Sequence, residues 1–247
     1  FRTVAFNFRG LTDNKLKTPE FHDLTDLSDI IYALKYIKQK YPNAPIYGLG
    51  ISFGGNMLLK YAGDQKDECL LNSIVSVANP FNLSTCAELI SKPKRALYHW
   101  RLLTSFLDVI RQNEEQLRKN PKINVDEVLA SKTINEYDER FSCKLKGCTL
   151  EEYRAKAGCE NYIKDVKIPM LCVNSLDDPI SEKYVIPWKK LHDNPNFIML
   201  ATQKGGHVDF FMNHKPIRWV NIAAMQYLNF IDKELQESKI KAKEQPQ

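Results

Sequence analysis

The sequence lacks the paired Cys-x-x-Cys spacing of a structural zinc site. Its six cysteines, Cys69, Cys86, Cys143, Cys148, Cys159 and Cys172, are scattered, so no metal centre is expected. They read as reduced, mostly buried thiols of a cytosol-facing protein, with a local disulfide among Cys143, Cys148 and Cys159 left open. No apolar run reaches the roughly 20 residues that a membrane-crossing helix needs, and no signal-peptide pattern is present. A large excess of charge of one sign is also absent. The formal net charge is +5, partly from a Lys-rich stretch at Lys239, Lys241 and Lys243, which is too little and too dispersed for a nucleic-acid-binding face. Glycine and proline are not in excess, at 10 and 12 of 247 residues, while 43% are hydrophobic and 26% charged. That composition excludes a disordered or fibrous chain and fits one large α/β domain or two small ones.

What is present alternates between two hydrophobic periods. Thr3 to Phe8 (TVAFNF), Pro45 to Ile51 (PIYGLGI), Leu70 to Ala78 (LLNSIVSVA), Ile168 to Asn174 (IPMLCVN) and Asn196 to Thr202 (NFIMLAT) read as strands. Between them, His22 to Lys40 places Leu24, Leu27, Ile31, Leu34 and Ile37 at helical spacing, and Gly54 to Tyr61 opens a second helix. Strands alternating with helices predict an α/β fold with a mainly parallel sheet covered on both faces. From about 84 to 165 the alternation stops. Helices are expected at about Lys94 to Lys119, ending at Asn120-Pro121, and from Thr149, where Glu152 completes a capping box. This insertion reads as a lid, and its apolar positions, among them Leu97, Trp100, Leu103, Leu107 and Ile110, suit either core packing or an acyl-chain or membrane-facing surface. A last helix is expected from near Pro216 to about Lys233 or beyond, closing a domain of residues 1–233, with 234–247 as a solvated polar tail. The chain starts at Phe1 inside an apolar run, and the reading is a fragment lacking N-terminal strands.

Four of the ten glycines crowd around one serine in GLGISFGGN, Gly48 to Asn56. Gly50-Ile51-Ser52-Phe53-Gly54 fits G-x-S-x-G, the sharp strand-to-helix turn that lifts a serine hydroxyl above a sheet edge. Such a turn forces the serine toward positive φ, at a cost of order 1–3 kcal/mol. It is expected to need room at Gly50 and Gly54, where a Cβ would collide, and at Gly55, where the helix approaches the strand. The Phe53 N–H, at the new helix's N-terminus, is the expected oxyanion donor. A serine needs a base, and a base needs orienting. After IPMLCVN comes Ser175-Leu176-Asp177-Asp178-Pro179, and after the last strand comes Lys204-Gly205-Gly206-His207. Of the five histidines, only His207 follows the last strand on a loop softened by two glycines. His22, His99, His192 and His214 sit at a helix start, in the insertion and in polar loops. Either Asp177 or Asp178 can be the acid. Asp178 precedes Pro179 and suits a helix N-cap, which leaves Asp177 as the expected partner of His207.

On these residues the chain resembles the α/β-hydrolase-domain esterases and phospholipases, in the branch with plant embryogenesis-associated proteins and bacterial hydrolases. The resemblance is carried by NFRG at Asn7 to Gly10, LKTPEFH at Leu16 to His22 and GISFGGNMLLKYAG at Gly50 to Gly63. ANPFNL at Ala78 to Leu83, NSLDDP, GGHVDF, and Tyr137-Asp138 followed by Tyr153 add to it. It implies a Ser52, Asp177, His207 triad and hydrolysis of carboxylic esters, lipid-like ones included, with no metal or organic cofactor. Asp209 departs from the small residue usual in that family. The family's His-Gly loop, source of a second oxyanion donor, is not found before Phe1, which implies a rate loss of about 10²–10³ for a chain without it. The resemblance also implies that the strand at Thr3 to Phe8 lacks its natural neighbour. An acyltransferase on the same fold, or a ligand-binding protein without turnover, are the competing readings. The expected partners are a small ester or lipid and no nucleic acid. A cytoplasmic place, or a membrane-associated one through peripheral or N-terminal attachment, fits equally.

Overall fold

β-branched and apolar runs of five or six residues suit strands buried on both faces. The computed structural model describes residues 1–12, 14–212 and 216–244. Its sheet has four parallel strands in sequential order: β1 (Tyr47–Ile51), β2 (Ser73–Val77), β3 (Met170–Ser175) and β4 (Phe197–Thr202). The register pairs Leu49 with Val75, Val75 with Leu171, and Leu171 with Ile198. Every residue of β2 and β3 is buried. The expected α/β architecture with a parallel sheet is therefore found.

The chain divides into two compact units, Phe1–Tyr36 with Asn82–Gly158, and Ile37–Phe81 with Cys159–Gln247. The second unit holds the sheet. One sheet face packs on α2 (Phe53–Gln65), where a Cβ at Gly48 would lie 3.1 Å from Leu58 Cδ1. The other face presents Val75, Val77, Leu171 and Val173 to Val220, Ala224 and Leu228 of the final helix, Trp219–Glu244. Full burial of each such side chain is worth about 1.5–3 kcal/mol. Glu160–Asp165, at the end of the expected insertion, packs with this unit: the Tyr162 carbonyl would lie 2.4 Å from a Cβ at Gly63 of α2.

The first unit is helical. The capping box is present: Thr149 accepts the Glu152 N–H, and Glu152 accepts the Thr149 N–H at 2.9 Å. The helix it starts, Leu150–Ala157, packs Tyr153 and Ala157 with Cys143, Leu83 and Leu24. Arg154 is pinned to Asp138 at 2.8 Å, both largely buried. The helix expected at Lys94 to Lys119 is broken instead, into Ala96–Gln112 and Glu114–Leu117. At the break, the buried Asn113 side chain donates to the Gly10 carbonyl at 2.7 Å and accepts the Leu16 N–H at 2.9 Å. Leu103, Leu107 and Ile110 form its buried stripe, whereas Leu97 and Trp100 are exposed.

Three other expectations are corrected. Thr3 to Phe8 forms no strand, and Val4 and Phe6 are exposed. A strand's amides and carbonyls need a paired neighbour, and this segment is not part of the four-stranded sheet. The first helix, α1, runs Ser28–Lys40 rather than from His22. Asp23 and Asp26 use their carboxylates on the Thr25 and Ser28 N–H groups, at 2.7 and 2.9 Å, holding turns where the helix was expected. The final helix continues to Glu244, so most of the expected tail is helical. Good helix formers and i,i+4 pairs such as Lys233 with Glu237 favour this. Residues 245–247 of that tail, and His214, lie outside the described residues. Among the described residues no helix is long and apolar enough to cross a membrane.

Candidate active site

All the residues brought together at the candidate site belong to the second unit. Ser52 stands between β1 and α2 with φ 53° and ψ −121°. Its N–H donates to the Val77 carbonyl at 2.8 Å, which continues the β1–β2 ladder up to the turn. A Cβ at Gly50 would lie 2.4 Å from the Gly54 carbonyl, so only glycine fits there. Gly55 is equally constrained, with a Cβ 2.4 Å from Ser76 Oγ of β2. Gly54 differs from expectation: a Cβ there would meet no atom within 4 Å. The crowding comes from the fold-back of α2 onto Gly50 and β2, and Gly54 points away from both. Phe53 is the first residue of α2, which puts its N–H in the helix's first turn beside Ser52.

His207 Nε2 lies 2.9 Å from Ser52 Oγ, and His207 Nδ1 lies 2.8 Å from Asp178 Oδ2. A carboxylate can only accept, so Nδ1 carries the proton and Nε2 is left to accept from the serine hydroxyl. The Asp178 side chain is fully buried, and that of His207 is 16% exposed. The acid facing the ring is thus Asp178, not Asp177. The N-cap expectation that argued against Asp178 is not met: no helix starts at Pro179, and the next helical turn is Lys183–Val185, with Glu182 at its N-cap. Asp178 Oδ1 accepts the Ile180 and Ser181 N–H groups at 2.7 and 2.9 Å, while Oδ2 remains for the imidazole.

Asp177 is turned to the other side of the loop. Its Oδ1 accepts the Gly206 N–H at 2.9 Å and the Ser175 hydroxyl, and Lys204 Nζ lies 4.0 Å from its Oδ2. Partial burial pulls its pKa up, but the hydrogen bonds from Ser175 and Gly206, aided by Lys204, outweigh this and leave it below the usual carboxylate value. The His207 loop is tightly closed: Gly206 has φ +55°, and the Gly205 carbonyl accepts the Asp209 and Phe210 N–H groups at 3.1 and 3.2 Å. Phe210, also at positive φ, is buried edge-on to Trp219 at 5.6 Å. Asp209 is exposed.

The other described histidines are elsewhere. His99 Nε2 accepts the Ile134 N–H at 3.2 Å, His22 lies against Phe8 and Phe21, and His192 is exposed. Sequence reasoning missed a buried amide network beneath the turn. Asn174 donates to the Asn79 carbonyl at 3.1 Å, Asn79 donates to Ser76 Oγ at 3.0 Å, and Ser181 Oγ donates to the Ala78 carbonyl at 3.3 Å. Asparagines in or just after two apolar strand runs, Asn174 near the end of β3 and Asn79 past β2, were the available signal. Among the described residues, no group of three His, Cys, Asp or Glu is placed to hold a metal ion.

A serine on a positive-φ turn, paired to a histidine and a buried aspartate in the order Ser, Asp, His, can carry out acyl transfer. A profile of the alpha/beta hydrolase fold family matches residues 1–214. The chain belongs to the alpha/beta hydrolase fold family. This alpha/beta hydrolase is 32% identical over 212 residues to a protein named phospholipase ABHD3 from Bos taurus, covering 85% of this chain and 51% of that one. It is 26% identical over 241 residues to a monoacylglycerol lipase of Saccharomyces cerevisiae, covering 95% and 54%. The chain spans about half the length of these curated relatives. Among solved structures, Est1E from Butyrivibrio proteoclasticus superposes with a TM-score of 0.52 at 13% identity, covering 86% of this chain and 72% of that one, a likeness of fold.

Proposed function

We propose that this alpha/beta hydrolase cleaves carboxylic esters of lipid-like substrates through an acyl-enzyme on Ser52. The observation that carries the reading is the relay in which His207 Nε2 sits 2.9 Å from Ser52 Oγ while Nδ1 is held 2.8 Å from the buried Asp178. Ser52 Oγ attacks the ester carbonyl carbon as its proton passes to His207 Nε2. Asp178 stabilises the resulting imidazolium and keeps the ring aimed. The negative charge on the carbonyl oxygen develops beside the first turn of α2, where the Phe53 N–H is the proposed donor. Collapse breaks the bond to the alcohol, which leaves with the proton from Nε2, and water then repeats the sequence to release the acid.

The substrate class is supported by relatives named phospholipase and monoacylglycerol lipase. The test is turnover by the intact protein across p-nitrophenyl esters, monoacylglycerols and lysophospholipids of graded chain length, beside Ser52→Ala. Ser52-dependent release of fatty acid from the lipid substrates is expected. Turnover that survives Ser52→Ala, or turnover limited to short water-soluble esters, contradicts the proposal.

A further inference from the structure

His207 is gripped at two places, and only one of them is the ring. Asp178 holds the imidazole, while the residue just before His207, Gly206, has its N–H bonded to Asp177 Oδ1 at 2.9 Å. We propose that Asp177 is a positioning residue for His207, acting through the Gly206 backbone rather than through the imidazole. The inference rests on the triad reading above and adds a fourth side chain to it.

Three observations support the assignment. Gly206 lies at φ +55°, and a glycine there has more backbone conformations open to it than any other residue. A charged acceptor on its N–H is a strong way to select one of them. The acceptor is itself tied to the sheet, because the Ser175 hydroxyl, from the buried last residue of β3, donates to the same Oδ1. The chain of contacts thus runs from β3 through Ser175 and Asp177 to Gly206, and so to the histidine backbone. Asp177 and Asp178 are sequence neighbours just past β3 that reach two different parts of the His207 loop. Together they fix both the position and the direction of the imidazole, whose Nε2 must stay within hydrogen-bond reach of Ser52 Oγ.

A purely structural role for Asp177 predicts lower stability with kcat intact. A positioning role predicts a loss in kcat with KM little changed, since a 1 Å misplacement of a reacting group costs about 10²-fold. The experiment measures kcat, KM and fluorophosphonate labelling rate on the intact protein, for the parent, Ser52→Ala, Asp177→Ala, Asp177→Asn and Ser175→Ala. Folding is checked by circular dichroism. Asp177→Ala is expected to lose about 10- to 100-fold in kcat and in labelling rate, with KM within about twofold. Asp177→Asn, which keeps an oxygen for the Gly206 N–H, is expected to recover most of that loss. Ser175→Ala keeps nearly the same volume and carries the test if Asp177→Ala fails to fold, with an expected kcat loss of about 3- to 10-fold. Folded Asp177→Ala or Ser175→Ala at parental kcat overturns the inference. So does an Asn variant as slow as the Ala variant. A parent whose turnover does not depend on Ser52 overturns the triad reading itself, which separates the two failures.

Discussion

Asp177 and Asp178 are consecutive residues whose carboxylates engage two different parts of the His207 loop. Asp178 Oδ2 is 2.8 Å from the imidazole Nδ1, and Asp177 Oδ1 is 2.9 Å from the Gly206 N–H. Their burial differs as their contacts do. The Asp178 side chain is fully buried, whereas 36% of the Asp177 side chain is exposed.

That difference predicts an ordering of effects. Asp178→Asn offers the imidazole an amide in place of a carboxylate and disturbs its tautomer, so kcat should fall about 10⁴-fold. Asp177→Asn should fall far less, because its acceptor oxygen survives. Steady-state kinetics of the two amide variants check this. Equal losses would contradict the assignment of the acid.

Around Ser52 the glycines should separate as sharply. Gly50→Ala drives a Cβ into the Gly54 backbone and is expected to cost several kcal/mol, about 3 or more, with loss of activity. Gly54→Ala meets open space and should fall within about 1 kcal/mol of the parent, since alanine is the better helix former. Denaturant melts of the two variants measure the contrast.

In the helical unit, Asn113 is the test of the broken helix. Asn113→Ala leaves the Gly10 carbonyl and the Leu16 N–H without their partner, an expected loss of about 1–3 kcal/mol per buried group. Thr149→Ala removes one half of the capping box and should cost about 1 kcal/mol. Equilibrium unfolding distinguishes the two magnitudes.

The lowered pKa of Asp177 also sets a pH dependence. A carboxyl whose folded pKa lies below its unfolded value of about 3.9 contributes stability above that value, and loses it as pH falls through the folded pKa. The parent should therefore lose stability on acidification below about pH 4 slightly more steeply than Asp177→Ala. The contribution is small because the side chain is partly exposed. Urea midpoints from pH 2 to pH 6 for the pair record it.

Much of this site was legible from the residues alone. G-x-S-x-G between a strand and a helix, and a histidine past the last strand, identified two groups that the structure brings to 2.9 Å. The carboxylate that faces His207 lies one position later than expected: the chain after Asp178 makes a turn and not a helix, and one oxygen serves that turn while the other faces the ring. The segment Thr3 to Phe8 has strand-like composition, but pairing is a property of neighbours and not of the segment. Asn113 breaks a helix through contacts about a hundred residues away in sequence, which no local pattern encodes. The strands, whose burial depends on short apolar runs, were placed to within three residues at each end.

The central claim is that Ser52 is a nucleophile activated by His207. Reaction of the intact protein with a fluorophosphonate, followed by peptide mass mapping, tests it directly. The expected result is a single adduct on Ser52, lost in Ser52→Ala and slowed by about 10³-fold or more in His207→Ala. A folded protein that stays unmodified, or one modified at Ser52 equally fast without His207, would contradict it.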